Sequence, residues 1–323
     1  MNGFTQHYFE MGGVGLLPSL YRVYYLMIYV LYVELLSSQT QFTMTLRRIC
    51  IYLCLLCVLP ALVVWNHVGL FLDDILFDDW VACKIDRPLF IVGNARSGTT
   101  WFHRLVTKMD NCNDGHDNKD SPRFTTFKTW EILFAVSITW KLLLHIVHSV
   151  DSRYLGGAMV YVLSRIEDRL VGNAHTRESY VHPIGLMNAE EDEWLMMHIG
   201  CAQLILFFFP LGSTLLHPLI VFDDGHNNSQ AQLSVSTRRM VFSYYRDCVK
   251  RHLYFQRYYL TINSNDNKNK RDDKNGNDIA RSTIFVSKNP AFTLRLGRHQ
   301  LTHGPMSSPI NLLLVYRHHA PNN

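Results

Sequence analysis

Charge is what this sequence has least of. Only 18% of its 323 residues are Asp, Glu, Lys or Arg, and the formal net charge is +4. A balance that mild leaves no basic footprint for a nucleic-acid partner. Low charge with 48% hydrophobic residues also excludes a globally disordered chain. Of the seven cysteines, Cys50, Cys54 and Cys57 lie in an apolar run near the N-terminus, and the other four (Cys83, Cys112, Cys201, Cys248) show no CxxC or similar spacing, so no zinc site is implied and disulfides are permitted without being implied. With 18 glycines, 11 prolines and no visible repeat, a collagen-like or solenoid chain is excluded too. What remains is a chain of a length that suits one α/β domain plus an extension.

The apolar residues crowd the N-terminus. Ile49 to Trp65 runs seventeen residues without a charge. A bilayer needs about 20, and continuing to Leu72 fills the span at the cost of admitting Asn66 and His67. Pro60 can kink such a helix without forbidding it. Residues 49–72 therefore read as an N-terminal transmembrane anchor, with a buried core helix as the competing reading. Val14 to Leu36, which carries Arg22 and Glu34, is a second candidate span at 14–36. Arg47 and Arg48 precede the main run, so the positive-inside rule sends the larger part across, to a lumenal side. Asn227-Asn228-Ser229 is a glycosylation sequon, weak support for that side. A third apolar run, Leu195 to Phe222, is broken by His198, Gly200 and Pro210 and reads as a buried helix.

Beyond this anchor region (1–87), residues 88–323 carry a different pattern. Leu89 to Val92 is a short apolar run between Pro88 and Gly93, which predicts a buried strand. Trp101 to Met109 places residues 101, 102, 105, 106 and 109 on one helical face. Asn111 to Asp120 is a polar loop. Residues 132–169 and 190–209 are helix-rich, and Leu233 to Ile262 predicts a long helix. Its stripe of Arg239, Arg246, Lys250 and Arg257 reads as a solvated face, with an anionic ligand as the alternative. Asn263 to Asp278 contains no apolar side chain and reads as a disordered surface insertion. Two more strands follow, at Thr283–Ser287 and Leu312–Tyr316.

The most informative stretch is Gly93-Asn94-Ala95-Arg96-Ser97-Gly98-Thr99-Thr100-Trp101, set between a strand and a helix. Two glycines let the loop turn tightly, exposing backbone N–H groups at a helix N-terminus where an anion is favoured. The G-x-x-x-x-G spacing fits a Walker loop, but Thr99 stands where a Walker lysine belongs and the cation sits inside the loop at Arg96. All three predicted strands end on polar or basic residues: this loop, Lys288 and Arg317. Ligands of an open parallel sheet collect outside the carboxyl ends of its strands, so Arg96, Lys288 and Arg317 can meet one polyanion.

At these residues the chain resembles the sulfotransferases that use 3′-phosphoadenosine-5′-phosphosulfate (PAPS), in particular the group sharing an R-S-G-T-T loop with tyrosylprotein sulfotransferases. Ala95 to Trp101 departs from that family's 5′-phosphosulfate loop only in having alanine for proline. Asn188 to Glu193 resembles its P-E-E-D-E motif, and Ser287 to Phe292 its K-[SDN]-P segment. The resemblance runs from about Pro88 to the C-terminus. It implies a P-loop NTPase-like parallel sheet flanked by helices, and sulfuryl transfer from PAPS, without a metal, to a hydroxyl of a carbohydrate, lipid or tyrosine at a Golgi-type membrane.

The resemblance also implies roles. Arg96, Ser97, Gly98, Thr99, Thr100 and Trp101 would bind the 5′-phosphosulfate, Lys288 would be a second transition-state cation, and Arg317 would meet the 3′-phosphate. The base is open among the carboxylates of Glu190 to Glu193, with Glu191 favoured, and His182, eight residues earlier. The chain ends six residues after Arg317. It lacks the serine that the family pairs with that arginine, so it reads as C-terminally truncated relative to the family. The alternatives are an inactive membrane protein that keeps the fold, and a P-loop kinase or NTPase. The latter needs a Walker lysine and a Mg²⁺ carboxylate, and neither is found.

Overall fold

The computed structural model describes residues 14–36, 46–92, 98–112, 123–170, 185–202, 229–266, 283–289 and 311–314. Four parallel strands, β1 (Leu89–Val92), β2 (Arg123–Thr125), β3 (Thr283–Lys288) and β4 (Asn311–Leu314), lie in the order β2-β3-β1-β4. Seven helices accompany them: α1 (Leu16–Leu36), α2 (Leu46–Leu76), α3 (Thr99–Cys112), α4 (Thr129–Phe134), α5 (Ile138–Tyr154), α6 (Ala158–Leu170) and α7 (Ser229–Asp266). Two 3₁₀ segments, Asp78–Ala82 and Asp192–Ile199, complete the described elements. The long helix expected over 233–262 is thus α7, and the expected insertion lies outside the described residues from 267 onward.

Strands β1 and β3 are buried on both faces, which is why they read as continuous apolar runs in place of alternating ones. Leu89 pairs with Val286 and Ile91 with Lys288 across β1 and β3. Side chains of successive residues point to opposite faces. Leu89, Ile91, Phe124 and Val286 therefore meet Phe102 and Val106 of α3, whereas Phe90 and Phe285 meet Tyr245, Cys248 and Leu253 of α7. The result is a small parallel sheet with a helix on each face.

Helix α3 is rotated from its expected orientation. Trp101 and Leu105, assigned to its apolar face, are exposed, while His103 is buried beside Val106. The reason is polar. The ring Nε2 of His103 lies 2.8 Å from Thr126 Oγ1, which draws the histidine inward, while its Nδ1 has no hydrogen-bond partner among the described residues.

Helix α2 contains Tyr52–Leu76, which among the described residues is the one helix long and apolar enough to cross a membrane. One face of it is built into the α/β body. Asn66 donates to the carbonyls of Leu62 (3.0 Å) and Leu133 (2.9 Å) and accepts from the Val136 N–H (3.3 Å). Asp73 accepts from the Ile138 and Thr139 N–H groups, each at 2.8 Å, and so caps α5 from outside that helix. A Cβ at Gly69 would run into Ser137 and Trp140, so glycine there permits the close approach of α2 to α5. Helix α1 is tied down as well, through the buried Arg22, whose Nε donates to the Ile199 carbonyl at 2.7 Å. Leu26, Met27 and Tyr52 share one apolar core with Phe90, Phe127 and Leu195.

The basic stripe on α7 turns out to hold the chain that enters the sheet. Lys250 Nζ donates to the Val81 carbonyl (2.7 Å) and Arg257 to the Lys84 carbonyl (3.2 Å). Two of the four residues read as a solvated face are thus straps on the connector to β1.

Candidate functional site

The site grows from the carboxyl ends of β1 and β3. These neighbours send the chain in opposite directions, β1 outward past β3 to β2 and β3 outward past β1 to β4. Such a switch point opens a crevice at the carboxyl edge of a parallel sheet. After β1, Gly98 has φ +92°, a left-handed conformation that disfavours any side chain, and its carbonyl accepts the Phe102 N–H at 3.1 Å to start α3. The leading N–H groups of α3 carry the positive end of its dipole.

Lys288, the last residue of β3, is enclosed: its side chain is 1% exposed. Its Nζ donates to Thr100 Oγ1 at 2.6 Å and pairs with Glu191 Oε1 at 2.7 Å. The lysine thus joins the first turn of α3 to the segment that enters the Asp192–Ile199 3₁₀ helix. Because Thr100 accepts from Lys288, its own O–H is left to donate elsewhere. Glu191 is about one-third exposed, at 32%, so its carboxylate meets both the lysine and solvent.

The neighbouring carboxylates are fastened. Glu190 Oε1 lies 2.8 Å from Arg104 Nη2, and burial holds its carboxyl above the usual range against the pull of the Arg104 charge. Tyr245 of α7 donates to Asp192 Oδ2. Burial pushes Asp192 up to about 7, although the Tyr245 hydrogen bond works the other way. His103, buried between cations, is pushed down to about 3, first by burial and then by Lys288 and Arg104. It is neutral at physiological pH.

Asp192 makes stability pH-dependent in a direction opposite to an ordinary paired carboxylate. Its folded value, raised from 3.8, means that the folded state binds the proton more tightly. The contribution is whole below about pH 4 and is lost as pH rises to about 7. Asp192→Asn keeps the neutral form. Its stability relative to wild type should be near parity at about pH 4 and rise by about 2–4 kcal/mol by pH 8, measured by denaturant unfolding. A constant difference across that range would refute the assignment.

Of the residues singled out from sequence, Gly98, Thr99, Thr100, Lys288 and Glu191 lie in this region, and Thr100, Lys288 and Glu191 meet directly. Trp101 follows them on α3 but is 69% exposed. Arg96, Ser97, His182 and Arg317 lie outside the described residues. The acidic stretch does not form one helical turn as expected. Glu190 precedes the 3₁₀ helix and Glu191 occupies its N-cap position, so Glu190 and Glu193 share no helical face. Arg104 and Tyr245 were not singled out. Arg104 was within reach, since it follows Thr100 by one helical turn, whereas no local signal marks Tyr245.

Among the described residues no group of three or more His, Cys, Asp or Glu side chains is arranged to hold a metal ion. Compared with protein-family models, curated proteins and solved structures, the chain matches none. Chemically, the arrangement offers an enclosed ammonium, a hydroxyl donor, helix N–H groups and a partly exposed carboxylate on one edge. That set suits an anion beside a group that gives up a proton.

Proposed function

We propose that the chain is a PAPS-dependent sulfotransferase acting at a Golgi-type membrane, with a P-loop NTPase-like sheet as scaffold. The observation that carries this reading is Lys288 bridging Thr100 and Glu191. The donor set fits a phosphosulfate: amide and hydroxyl donors from Gly98, Thr99 and Thr100, with Arg96 and Lys288 as cations. PAPS supplies an activated sulfuryl group, whose S–O bond to the phosphate breaks as a new one forms to the acceptor oxygen. Arg96 and Lys288 stabilise the charge left on the phosphate oxygen, and Arg317 holds the 3′-phosphate. Glu191, whose side chain is partly exposed beside Lys288, takes the acceptor's proton. Exposed Trp101 and Leu105, beside Thr100 on α3, support an acceptor with apolar surface, within the class of carbohydrate, lipid and tyrosine hydroxyls.

Calorimetry with adenosine 3′,5′-bisphosphate tests the reading on the full chain. Saturable binding is expected, weakened at least about tenfold by Arg96→Ala, which removes a charge-assisted contact. Absence of binding by the wild-type chain would leave an inactive protein that keeps the fold. Preference for Mg-ATP would instead move the chain to the kinases and NTPases.

A further inference from the structure

The outward side of α2 is part of a wider apolar surface. Val68 and Phe71 stand exposed on α2, Ile146 and Val150 on α5, and Met159 and Val162, one helical turn apart, on α6. Helix α2 packs on α5, and α5 on α6, so the three exposures adjoin. Helix α6 is no frayed appendage. The buried Asp151 accepts from the Met159 N–H (3.0 Å) and the Val160 N–H (3.2 Å), which fixes the start of α6 against the end of α5.

This surface has the chemistry of a lipid contact. Between Arg48 and Asp73, helix α2 carries no charged residue. At its centre, Trp65 and Trp140 stack at 4.0 Å, and their indole N–H groups donate to the carbonyls of Phe134 (2.7 Å) and Trp65 (2.8 Å). With both N–H groups satisfied inside the protein, the pair can face hydrocarbon without an unpaired donor. Tyr154, Tyr161, Arg153 and Arg165 are exposed near the ends of α5 and along α6, an aromatic and cationic rim suited to anionic headgroups. Meanwhile Asn66, Gly69 and Asp73 bind the opposite side of α2 to the α/β body. Lipid can therefore reach only one side of that helix.

We propose that α2, α5 and α6 form a single lipid-facing surface that seats the protein in one leaflet of a phospholipid bilayer, with α2 lying against the leaflet instead of crossing it. This attachment does not depend on what the catalytic edge does. A free-standing span would be surrounded by lipid and indifferent to α5 and α6. A one-leaflet seat needs all three helices.

The test is flotation of the full chain with vesicles of phosphatidylcholine and phosphatidylserine, alongside analytical ultracentrifugation. Ile146→Lys and Val162→Lys alter exposed positions, so circular dichroism should show an unchanged fold. Each should lower the fraction floated at least about tenfold, as Phe71→Lys on α2 should, because each places a charge in the apolar boundary. Flotation unchanged in both α5 and α6 variants would overturn the proposal in favour of α2 acting alone. A wild-type chain that stays with the soluble fraction as a dimer, and becomes monomeric in these variants, would assign the surface to a second copy and overturn it as well. Binding of adenosine 3′,5′-bisphosphate, measured on the same preparations, should be unaffected by any of the three changes, which separates this result from the fate of the sulfotransferase reading.

Discussion

Replacing Lys288 with alanine should lower sulfate incorporation from labelled PAPS by about 10²–10³-fold, the usual effect of removing one preorganised donor from a transition state. The size of the effect follows from enclosure. With a side chain 1% exposed and its ammonium between Thr100 Oγ1 and Glu191 Oε1, Lys288 has almost no water to screen it. Lys288→Arg should not restore the rate, because a planar fork cannot occupy the place of a compact ammonium between two oxygens. Glu191→Gln separates the roles of the pair. It preserves shape and a hydrogen bond to Lys288 but cannot accept a proton. That variant should retain binding of adenosine 3′,5′-bisphosphate while kcat falls and the acid limb of its pH profile disappears. If Lys288→Ala turned over at the wild-type rate with an unchanged fold, the lysine would have no part in the chemistry.

Glu131→Ala should be the most destabilising single change in the α/β body, at about 3–5 kcal/mol, because it strips a buried charge of its partner. Lys141, fully enclosed, lies 3.3 Å from Glu131 Oε1 and donates to His252 Nδ1 at 2.8 Å. His252 Nε2 in turn donates to Thr125 Oγ1 at 2.9 Å, and the rings of Phe127 and Phe255 stand 5.2 and 5.7 Å from the ammonium. Burial lowers the Lys141 pKa and the Glu131 charge opposes that shift. The same burial, reinforced by Lys141, holds His252 well below its ordinary value and so neutral, as its role as acceptor requires. Without Glu131, the folded state holds the Lys141 proton less tightly than before, so the loss should be larger at pH 6 than at pH 9. The double variant Glu131→Gln/Lys141→Met removes both charges and should lie within about 1–2 kcal/mol of wild type. Urea unfolding of both variants decides the matter; equal losses in the two would show that the cluster is not held by its charges.

How legible these features were depended on how local their causes are. The β1 strand could be read because four apolar residues stand between Pro88 and Gly93, two breakers that no partner overrides. The Lys288–Glu191 meeting could be anticipated only through the motif resemblance, since 97 positions separate the two residues. The Lys141 cluster had no sequence signal. Its members come from α4, α5 and α7, and a lysine within an amphipathic helix reads as a solvated one until its neighbours are known. Helix α2 was the instructive ambiguity. Asn66 and His67 counted as flaws in a span, yet Asn66 falls with Asp73 on the face that binds the domain, and His67 meets Ser19 and Val14 at the start of α1. Composition measures how apolar a helix is, and it cannot say whether protein or lipid provides the apolar surroundings.

The strand order has a consequence for the making of the protein. Among the described residues, strand β1 pairs with β3 and β4 and with nothing earlier in the chain. Leu89 meets Val286 only after roughly 200 further residues have been synthesised, which at about 5–20 residues per second is on the order of 10–40 s. Throughout that interval Leu89–Val92 is an apolar edge without its partner. The growing chain must be protected there, by a chaperone or by early docking of α2 on its helices, and substitutions that weaken α2–α5 packing should show first as low yield of soluble or membrane-bound protein rather than as altered turnover.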